Sequence, residues 1–568
     1  MIAMVNKFYD FRNLKGDLSG GLVAGVVALP LALAFGVQSG MGATAGLYGA
    51  IILGILAPIL GGTRTQASGP TGPMTVVCAA VVTLAVSKFG GIEDALPIIL
   101  LTFFLGGIFQ IIFGFFKIGS FIKYFPYPVI SGFMTGVGLI IIFFQLFPLF
   151  GLNSPKSTLS VLQELPKIFT EFNLAALGIG IFTIAMYYFF PKISKTVPST
   201  LVALITGTLL SYFLKLDIPL IGTIPAGLPE LKMMGFLEIP SEAYAQILEF
   251  AIILAALGSI DSLLTSVIAD NITKTRHNSN RELIGQGIGN AVAAMFGGIP
   301  GAGATKGTVI NINSGGTTRL SGAIHGFFLL IILLGAGSLA SYIPITVLAG
   351  ILIPVGLNII DYKALKHLLK VPRADAVVLV VVLLITTFGN LIYAVGIGVV
   401  LASVLFMKKV SDLAEEKTQL RSLTETIPEG LWADEQLLYS EFKDRVYIKH
   451  LYGPLFFGFA SEFQAMTANK NLEMEALIIR MDRVPYIDQS GLYALENVLF
   501  NLKVKNITAI LVGLQPQPKD KLELIGIIPN LVPEENISED IGDAAELLKI
   551  LLKNHRNTEQ LVEILGTN

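Results

Sequence analysis

The feature that most constrains this chain is a series of long apolar stretches that are almost free of charge. They fill most of the first 410 or so residues, and residues 98–116, 137–150 and 377–388 are typical of them. A charged residue at the centre of a bilayer costs about 2.5–3.5 kcal/mol on insertion scales, so apolar runs of about 20 residues predict membrane-spanning helices. Charged residues return at ordinary density from about Leu413. We therefore predict a polytopic α-helical membrane domain followed by a soluble C-terminal domain.

The apolar pattern predicts about 14 spans within a membrane domain over residues 19–409. The predicted spans are 20–38, 43–60, 72–86, 96–116, 127–150, 172–190, 197–214, 247–269, 283–298, 305–313, 320–340, 343–357, 374–389 and 391–407. With the N-terminus inside, the basic clusters at 274–281 and 363–373 both fall on the cytoplasmic side, as the positive-inside rule requires. We expect a multi-pass protein of the inner (plasma) membrane with both termini cytoplasmic and longer external loops at 151–167 and 215–242.

Composition argues against several other classes of protein. Charged residues are 14% of the chain, against about 25% in soluble domains, and the net charge of −2 gives no reason to expect nucleic acid. The single cysteine, Cys78, excludes internal disulfides, and the five histidines are too scattered for a zinc motif. Residues 1–18 are too polar for a cleaved signal peptide and predict a cytoplasmic N-terminal segment. We expect neither an enzyme nor an organic cofactor, since no nucleophile–base or metal constellation is present.

Two polar, glycine-rich segments interrupt the apolar pattern at matched positions. Residues 61–73 lead into the third predicted span, and residues 297–307 lead into the tenth. Paired interruptions in two halves indicate an inverted-repeat transporter, here with seven spans in each half. Irregular backbone at membrane depth persists only where it lines a cavity or is buried in protein.

A short helix that starts at mid-membrane points unpaired N–H groups and the positive end of its dipole at such a cavity. Two such starts, at 70–73 and 304–306, would face each other and form an anion site. We assign substrate binding to residues that supply backbone N–H groups, hydroxyl donors or charge there: Ser68, Thr71, Gly72, Ala304, Thr305 and Lys306. The alternative interpretation is that both segments are tight glycine-packed turns without a ligand.

Asp261 is an acidic residue inside an apolar predicted helix, and an intramembrane carboxylate indicates a functional site. Thr265 lies one turn further along on the same face. Together with free carbonyl groups of Gly303 and Ala304, these side chains would suit a hard cation such as Na⁺. Two alternatives remain open: Asp261 carries a proton, or it forms an ion pair with Lys306.

The same segments resemble the SulP/solute-carrier-26 anion transporters. The motifs that carry the resemblance are residues 28–36 (ALPLALAFG), 69–74 (GPTGPM), 261–265 (DSLLT), 278–287 (NSNRELIGQG) and 311–319. The resemblance covers essentially the whole chain. Within the family it is closest to the BicA-type bicarbonate transporters, whose Asp-x-Leu-Leu-Thr motif is matched here.

The resemblance implies a UraA-like fold of seven plus seven spans with core and gate domains, an elevator motion of the core, and a homodimer. It implies an anion site between the third and tenth spans and a sodium site at the eighth and tenth. Carried over by position, the sodium ligands are Asp261, Thr265, Gly303, Ala304 and Thr305. Many family members have an arginine where this chain has Gly307, and the BicA-type pattern has an apolar residue where it has Lys306. Lys306 therefore bears directly on the choice of coupling ion.

The polar tail alternates strand-like and helix-like runs, which is typical of an α/β domain. Predicted strands are 446–448, 453–457, 476–481 and 509–513, and predicted helices lie near 461–467, 491–504 and 543–553. Residues 439–568 resemble a STAS domain, joined to the membrane domain by a linker over 410–438. Its signature loop corresponds to residues 488–491, where we favour a helix N-cap formed by Ser490 or Asp488 over phosphorylation of Ser490.

We expect a secondary active anion transporter, and sodium-coupled bicarbonate uptake is the leading interpretation, because a small polar site without arginine favours a monovalent anion. Sulfate is the first alternative, a dicarboxylate such as fumarate the second and chloride exchange the third, with proton coupling or exchange in place of sodium. An anion channel, or a sensor that signals through the STAS domain, is the alternative of a different class. The expected partners are a small anion, membrane lipid and a second copy of the chain.

Overall fold

The computed structural model describes residues 13–155, 157–194, 197–224, 227–232, 239–389, 391–417, 420–422, 435, 442, 445–456 and 474–551. The chain divides into two compact units, Met1–Ala402 and Ser403–Asn568. The predicted boundary at residue 409 falls inside a helix that crosses this division.

The first unit is built of helices. They are α1 (Leu14–Gln38), α2 (Ala43–Leu60), α3 (Gly72–Phe89), α4 (Ile92–Phe115), α5 (Tyr127–Leu149), α6 (Thr158–Glu171), α7 (Leu174–Phe189), α8 (Ser199–Phe213), α9 (Tyr244–Thr273), α10 (Ser279–Met295), α11 (Thr305–Asn313), α12 (Arg319–Ala340), α13 (Ile345–Ile359), α14 (Tyr362–His367) and α15 (Arg373–Phe388). A further helix, α16 (Leu391–Lys417), runs on into the second unit.

Every predicted span coincides with one of these helices. The amphipathic α6 and the short α14 match none, and α6 occupies most of a segment that we predicted as an external loop. Within the described residues, nine helices are long and apolar enough to cross a membrane, and α8 and α13 are shorter apolar helices. The chain is therefore a multi-pass membrane protein, while the number of crossings and the seven-plus-seven repeat stay predictions.

Glycine allows the helices of the first unit to pack closely. A Cβ atom on Gly107 of α4 would lie 2.4 Å from the backbone nitrogen of Ala291 on α10, and one on Gly287 would lie 2.6 Å from the carbonyl oxygen of Gly107. Neither helix could carry a side chain at these points without moving apart. Small residues are enriched at such interfaces because lipid gives no hydrophobic drive for helices to associate, so close packing must hold them.

The first helix starts earlier than predicted. α1 begins at Leu14, so the end of the predicted N-terminal segment is already helical. Asp17, which is fully buried, accepts hydrogen bonds from the backbone N–H groups of Thr317 (2.7 Å) and Thr318 (3.0 Å). This carboxylate ties the start of α1 to the start of α12.

The helices stop at both interrupted segments, as predicted. Between α2 and α3 lies the short strand β1 (Ser68–Gly69), and between α10 and α11 lies β2 (Ala302–Gly303). The two strands form an antiparallel ribbon in which Ser68 pairs with Gly303. Because the strands run in opposite directions, α3 and α11 leave from opposite ends of the ribbon.

The second unit contains a five-stranded sheet in the order β3-β4-β5-β6-β7. Its strands are β3 (Leu420–Ser422), β4 (Val446–Tyr452), β5 (Ala476–Arg483), β6 (Thr508–Val512) and β7 (Ile537–Ser538), with helices α17 (Gln489–Val504), α18 (Pro516–Leu524), α19 (Ile527–Asn530) and one over 541–551. β4 to β7 are parallel and β3 is an antiparallel edge strand. Two apolar clusters of buried residues form the core of this α/β unit.

The structure corrects several details of the predicted tail. The predicted strand at 453–457 is wrong in its described part: β4 ends before it, and only Leu455 forms an isolated bridge, with Ile487. Phe457 and the predicted helix at 461–467 lie outside the described residues. α16 extends to Lys417 and β3 joins the sheet, so parts of the predicted linker have regular structure. At the signature loop, Asp488 is the N-cap, since its carboxylate accepts from the N–H of Gly491 at 2.8 Å.

Candidate functional site

A cavity of about 480 Å³, here called the central cavity, lies where the two interrupted segments meet. The first turns of α3 and α11 line it, together with residues of α1, α9, α12 and α13. All six residues that we assigned to substrate binding are on its wall, namely Ser68, Thr71, Gly72, Ala304, Thr305 and Lys306. The fold thus brings together residues that are more than 200 positions apart, while their contact with a substrate stays a prediction.

Both helix starts are left without a side-chain cap. Thr71 occupies the N-cap position of α3 and Ala304 that of α11, and among the described residues no side chain accepts a hydrogen bond from either first turn. The first N–H groups of a helix have no partner within the helix, and they carry about half a positive charge. Two such ends at one cavity make an electropositive site that contains no arginine among the described lining residues.

The ribbon fixes the direction in which these helices start. The N–H of Ala304 donates to the carbonyl oxygen of Ala67 at 2.8 Å, and the N–H of Ala67 donates to the hydroxyl of Thr308 at 3.0 Å. Thr308 is fully buried on the first turn of α11. The start of α11 is therefore locked to the segment that precedes α3, and the two helix starts form one rigid element.

Asp261 projects from α9 into this element. Its carboxylate is 8% exposed and accepts a hydrogen bond of 2.7 Å from the hydroxyl of Thr71. This hydrogen bond uses the O–H group of Thr71 within the protein, and the contact of Thr71 with a substrate stays a prediction. Asp261 and Lys306 both line the central cavity, but they form no ion pair within the described part of the chain. Lys306 is exposed. The arrangement leaves both charges available to other partners.

Three of the five predicted sodium ligands are in direct contact. The hydroxyl of Thr265 donates to the carbonyl oxygen of Gly303 at 2.8 Å and lies 2.7 Å from the hydroxyl of Thr305. Asp261 is one turn before Thr265 on α9. Carboxylate, hydroxyl and carbonyl oxygens are the ligands that hard cations prefer. The predicted set therefore fits a cation in its chemistry, and Ala304 adjoins it as the N-cap of α11.

A buried polar network, which the sequence reasoning did not assign, holds the first interrupted segment in place. Glu282 on α10 is 1% exposed. Its two oxygens accept hydrogen bonds of 2.8–2.9 Å from four N–H groups, those of Gly62, Thr63, Gln66 and Gln286. Gln286 also donates to the hydroxyl of Ser68 at 2.7 Å. The sequence signal for this network was the polar run 278–287, which forms the first half of α10 and which we had interpreted as a mark of family resemblance rather than as a buried network.

Asn290 and His325 were also missed. Asn290 donates to the carbonyl oxygen of Gly301 (3.0 Å) and accepts from its N–H (2.9 Å), which fixes the approach to β2. His325 on α12 is 2% exposed and lies on the wall of the central cavity. Neither residue stands out in the sequence, because a single polar residue in a helix does not reveal which face it occupies.

The chain matches known families over most of its length. The model of the sulfate permease family matches residues 14–382, and that of the STAS domain matches residues 439–544. The bicarbonate transporter BicA of Picosynechococcus sp. is 42% identical over 545 residues, which is 94% of each chain.

Two solved structures are similar to this one. The transmembrane domain of a cyanobacterium bicarbonate transporter BicA is 45% identical, with a TM-score of 0.63 over 70% of this chain and 98% of that chain. The murine solute carrier 26 family member A9 anion transporter in the inward-facing state is 21% identical, with a TM-score of 0.83 over 97% of this chain and 93% of that chain. The second likeness shows a shared fold alone.

Proposed function

Because the chain belongs to the sulfate permease family, whose members are anion transporters rather than enzymes, we propose that it moves bicarbonate across the membrane through the central cavity. The observation that carries this proposal is the pair of uncapped helix starts that face one cavity. Such ends bind anions through backbone N–H groups and the helix dipole. The relative that is 42% identical over 94% of its length is described as a bicarbonate transporter, which supports the choice of anion.

Before any coupling cation binds, the charge at the site favours a monovalent anion. Each helix start carries about half a positive charge, so the pair balances about one negative charge. Lys306 and Asp261, which both line the cavity, carry formal charges of opposite sign that cancel. Bicarbonate therefore meets a site of matching charge, whereas sulfate would leave about one negative charge uncompensated.

Sulfate is the second candidate, for one specific reason. Lys306 places an additional positive charge on the cavity wall. If a proton or the proposed coupling cation neutralises Asp261, the site carries about two positive charges with the helix starts, which match a dianion. In that loaded state the charge favours sulfate, and the choice of bicarbonate rests on the relative described as a bicarbonate transporter. The name of the matched family also points to sulfate.

We also propose that Na⁺ is the coupling ion and binds among Asp261, Thr265, Gly303, Ala304 and Thr305. The support is the cluster of oxygen atoms within 2.8 Å of the Thr265 hydroxyl, beside a buried carboxylate. A cation would replace the hydrogen bond between Thr265 and Gly303 with contacts to both oxygens. Na⁺ and bicarbonate would then enter as a neutral pair, so neither charge crosses the bilayer alone.

An elevator movement that carries α3 fits the way that this helix meets α5 and α13. A Cβ atom on Gly72 would lie 2.9 Å from the terminal methyl groups of both Ile141 (α5) and Ile359 (α13). The contact is made by apolar side chains against a glycine. By contrast, hydrogen bonds join α3 to α9 (Thr71 to Asp261), so α3 would move together with α9. We further propose a homodimer with both termini in the cytoplasm.

The deciding experiment is uptake into proteoliposomes of radiolabelled bicarbonate, sulfate and fumarate, with and without an inward sodium gradient. We expect concentrative bicarbonate uptake that requires sodium. Asp261→Asn should remove the sodium dependence, and Lys306→Met should sharpen it. Concentrative sulfate uptake without bicarbonate uptake would overturn the choice of substrate, and sodium-independent bicarbonate uptake would overturn the coupling ion.

A further inference from the structure

A second cavity of about 270 Å³ lies at the other end of the same helix interface, and we call it the Gln145 cavity. It is lined by the ends of α1 and α5, by the start of α13 and by part of α3, and it shares no lining residue with the central cavity. On α13 the Gln145 cavity is lined by residues within 345–348, whereas the central cavity is lined by residues within 355–359. Along α13 the two linings are seven residues apart, from Leu348 to Val355, which is about 10 Å, whereas on α1 the adjacent residues Ala34 and Phe35 line the two cavities.

Apolar side chains close the interface between the two cavities. Cys78 on α3, Ile141 on α5 and Leu352 on α13 lie between the two sets of lining residues along their helices, and each is at most 1% exposed. The two cavities are therefore separate spaces in the described structure. The loop residues that border the Gln145 cavity, 151–155 and Pro219, belong to the segments that we predicted to be external.

The Gln145 cavity holds amide groups without a partner. Gln145 is 6% exposed, lines the cavity, and makes no side-chain hydrogen bond within the described part of the chain. In Gln38, on the same wall, both polar side-chain atoms are buried without a partner among the described residues. Buried polar groups in proteins are nearly always hydrogen-bonded, so the unpartnered amide of Gln38, beside an amide of Gln145 that also makes no hydrogen bond in the described structure, points to a ligand of this cavity.

The lining selects a class of ligand. None of the described lining residues is charged, and the polar ones carry amides or hydroxyl groups: Gln38, Ser39, Thr83, Gln145, Asn153, Ser154 and Thr346. An amide both donates and accepts hydrogen bonds. Bicarbonate does the same through its O–H group and its carboxylate oxygens, whereas sulfate only accepts. A dianion would also lose more hydration free energy on entering this cavity, and no charged lining residue would offset that loss.

We infer that the Gln145 cavity is a second substrate site, in which the amides of Gln145 and Gln38 bind a small monovalent oxyanion that carries a proton, on its way to the central cavity. This inference rests on the proposed transport of bicarbonate. If the inference holds, part of the selection against sulfate takes place in the Gln145 cavity, outside the central cavity. It also places a binding site beside the loops that we predicted to be external.

The test measures uptake kinetics from each face of the membrane separately. The full-length protein is reconstituted, and vesicles of the two orientations are separated before bicarbonate uptake is followed. Gln145→Met removes the amide and keeps the length of the side chain. We expect it to raise KM for bicarbonate about tenfold from the face of the Gln145 cavity, with kcat within twofold of wild type and KM unchanged from the other face.

The matched control is Gln163→Met, because Gln163 is exposed on α6 and lies outside both cavities. Gln38→Met repeats the test on a second residue of the wall if the first variant does not fold. An unchanged KM, or an equal rise from both faces, overturns the inference while wild-type uptake stands. A wild type that takes up no bicarbonate from either face overturns the proposed function, and this inference with it.

Discussion

Gly301 lies against the backbone of the other interrupted segment, and replacing this residue by alanine tests the whole site. A Cβ atom there would lie 2.1 Å from the carbonyl oxygen of Gly69 and 2.3 Å from its carbonyl carbon. Ordinary contacts of a Cβ atom begin at 3.4 Å. The ribbon would therefore have to open by about 1.3 Å, and the obstructing atoms are backbone that no change of rotamer can move.

The expected effect of Gly301→Ala follows from that displacement. Overpacking of this kind costs about 1–3 kcal/mol of stability, which a large membrane domain can tolerate. A misplacement of about 1 Å in a binding constellation reduces turnover on the order of 100-fold. Since the ribbon sets the positions of both helix starts, we expect about 100-fold slower uptake by a protein that still folds.

The assay is initial uptake of radiolabelled bicarbonate into proteoliposomes, with the amount of folded protein measured by size-exclusion chromatography. The matched control is Gly178→Ala on α7, since a Cβ atom at Gly178 meets no heavy atom within 4 Å. We expect the control to transport like the wild type. Wild-type KM and maximal rate in a folded Gly301→Ala variant would refute the view that the ribbon positions the site.

Three further predictions concern the rest of the molecule. Thr71→Val removes the hydroxyl that donates to the buried carboxylate of Asp261, a bond worth about 1.5–3 kcal/mol, and should weaken substrate binding in a folded protein; unchanged transport kinetics would count against the site. Glu282→Gln turns an oxygen that accepts two N–H groups into a donor, and should lower the thermal midpoint of the detergent-solubilised protein; an unchanged midpoint would contradict the role of the network. Truncation after Lys409 should leave substrate binding intact by calorimetry, and its loss from a folded membrane domain would contradict a purely regulatory or dimer-forming STAS domain.

The sequence alone determined where the helices lie and where they break. A helix needs about 20 apolar residues in a row to cross the bilayer, and such a run can be recognised in the sequence alone. A glycine- and proline-rich interruption is equally local, so the segments at 61–73 and 297–307 could be located without any knowledge of their neighbours. The error in the tail arises where a local signal is not enough. Residues 453–457 are apolar enough for a strand, but their pairing depends on chain that is distant in sequence.

Only the tertiary structure decided which polar groups meet. Thr71 and Asp261 are 190 residues apart, and Glu282 is 220 residues from Gly62, so their contacts depend on how α9 and α10 pack against the first interrupted segment. The start of a helix favours anions by a local rule, so the six predicted wall residues could be chosen from sequence, while their contact with an anion stays a prediction. Which group lies within 3 Å of a side chain depends on how two helices are rotated and shifted against each other. Glycine contacts across the interface set both the rotation and the shift. The Gln145 cavity could not be predicted from the sequence for the same reason, because its amides come from two helices that only the fold brings together.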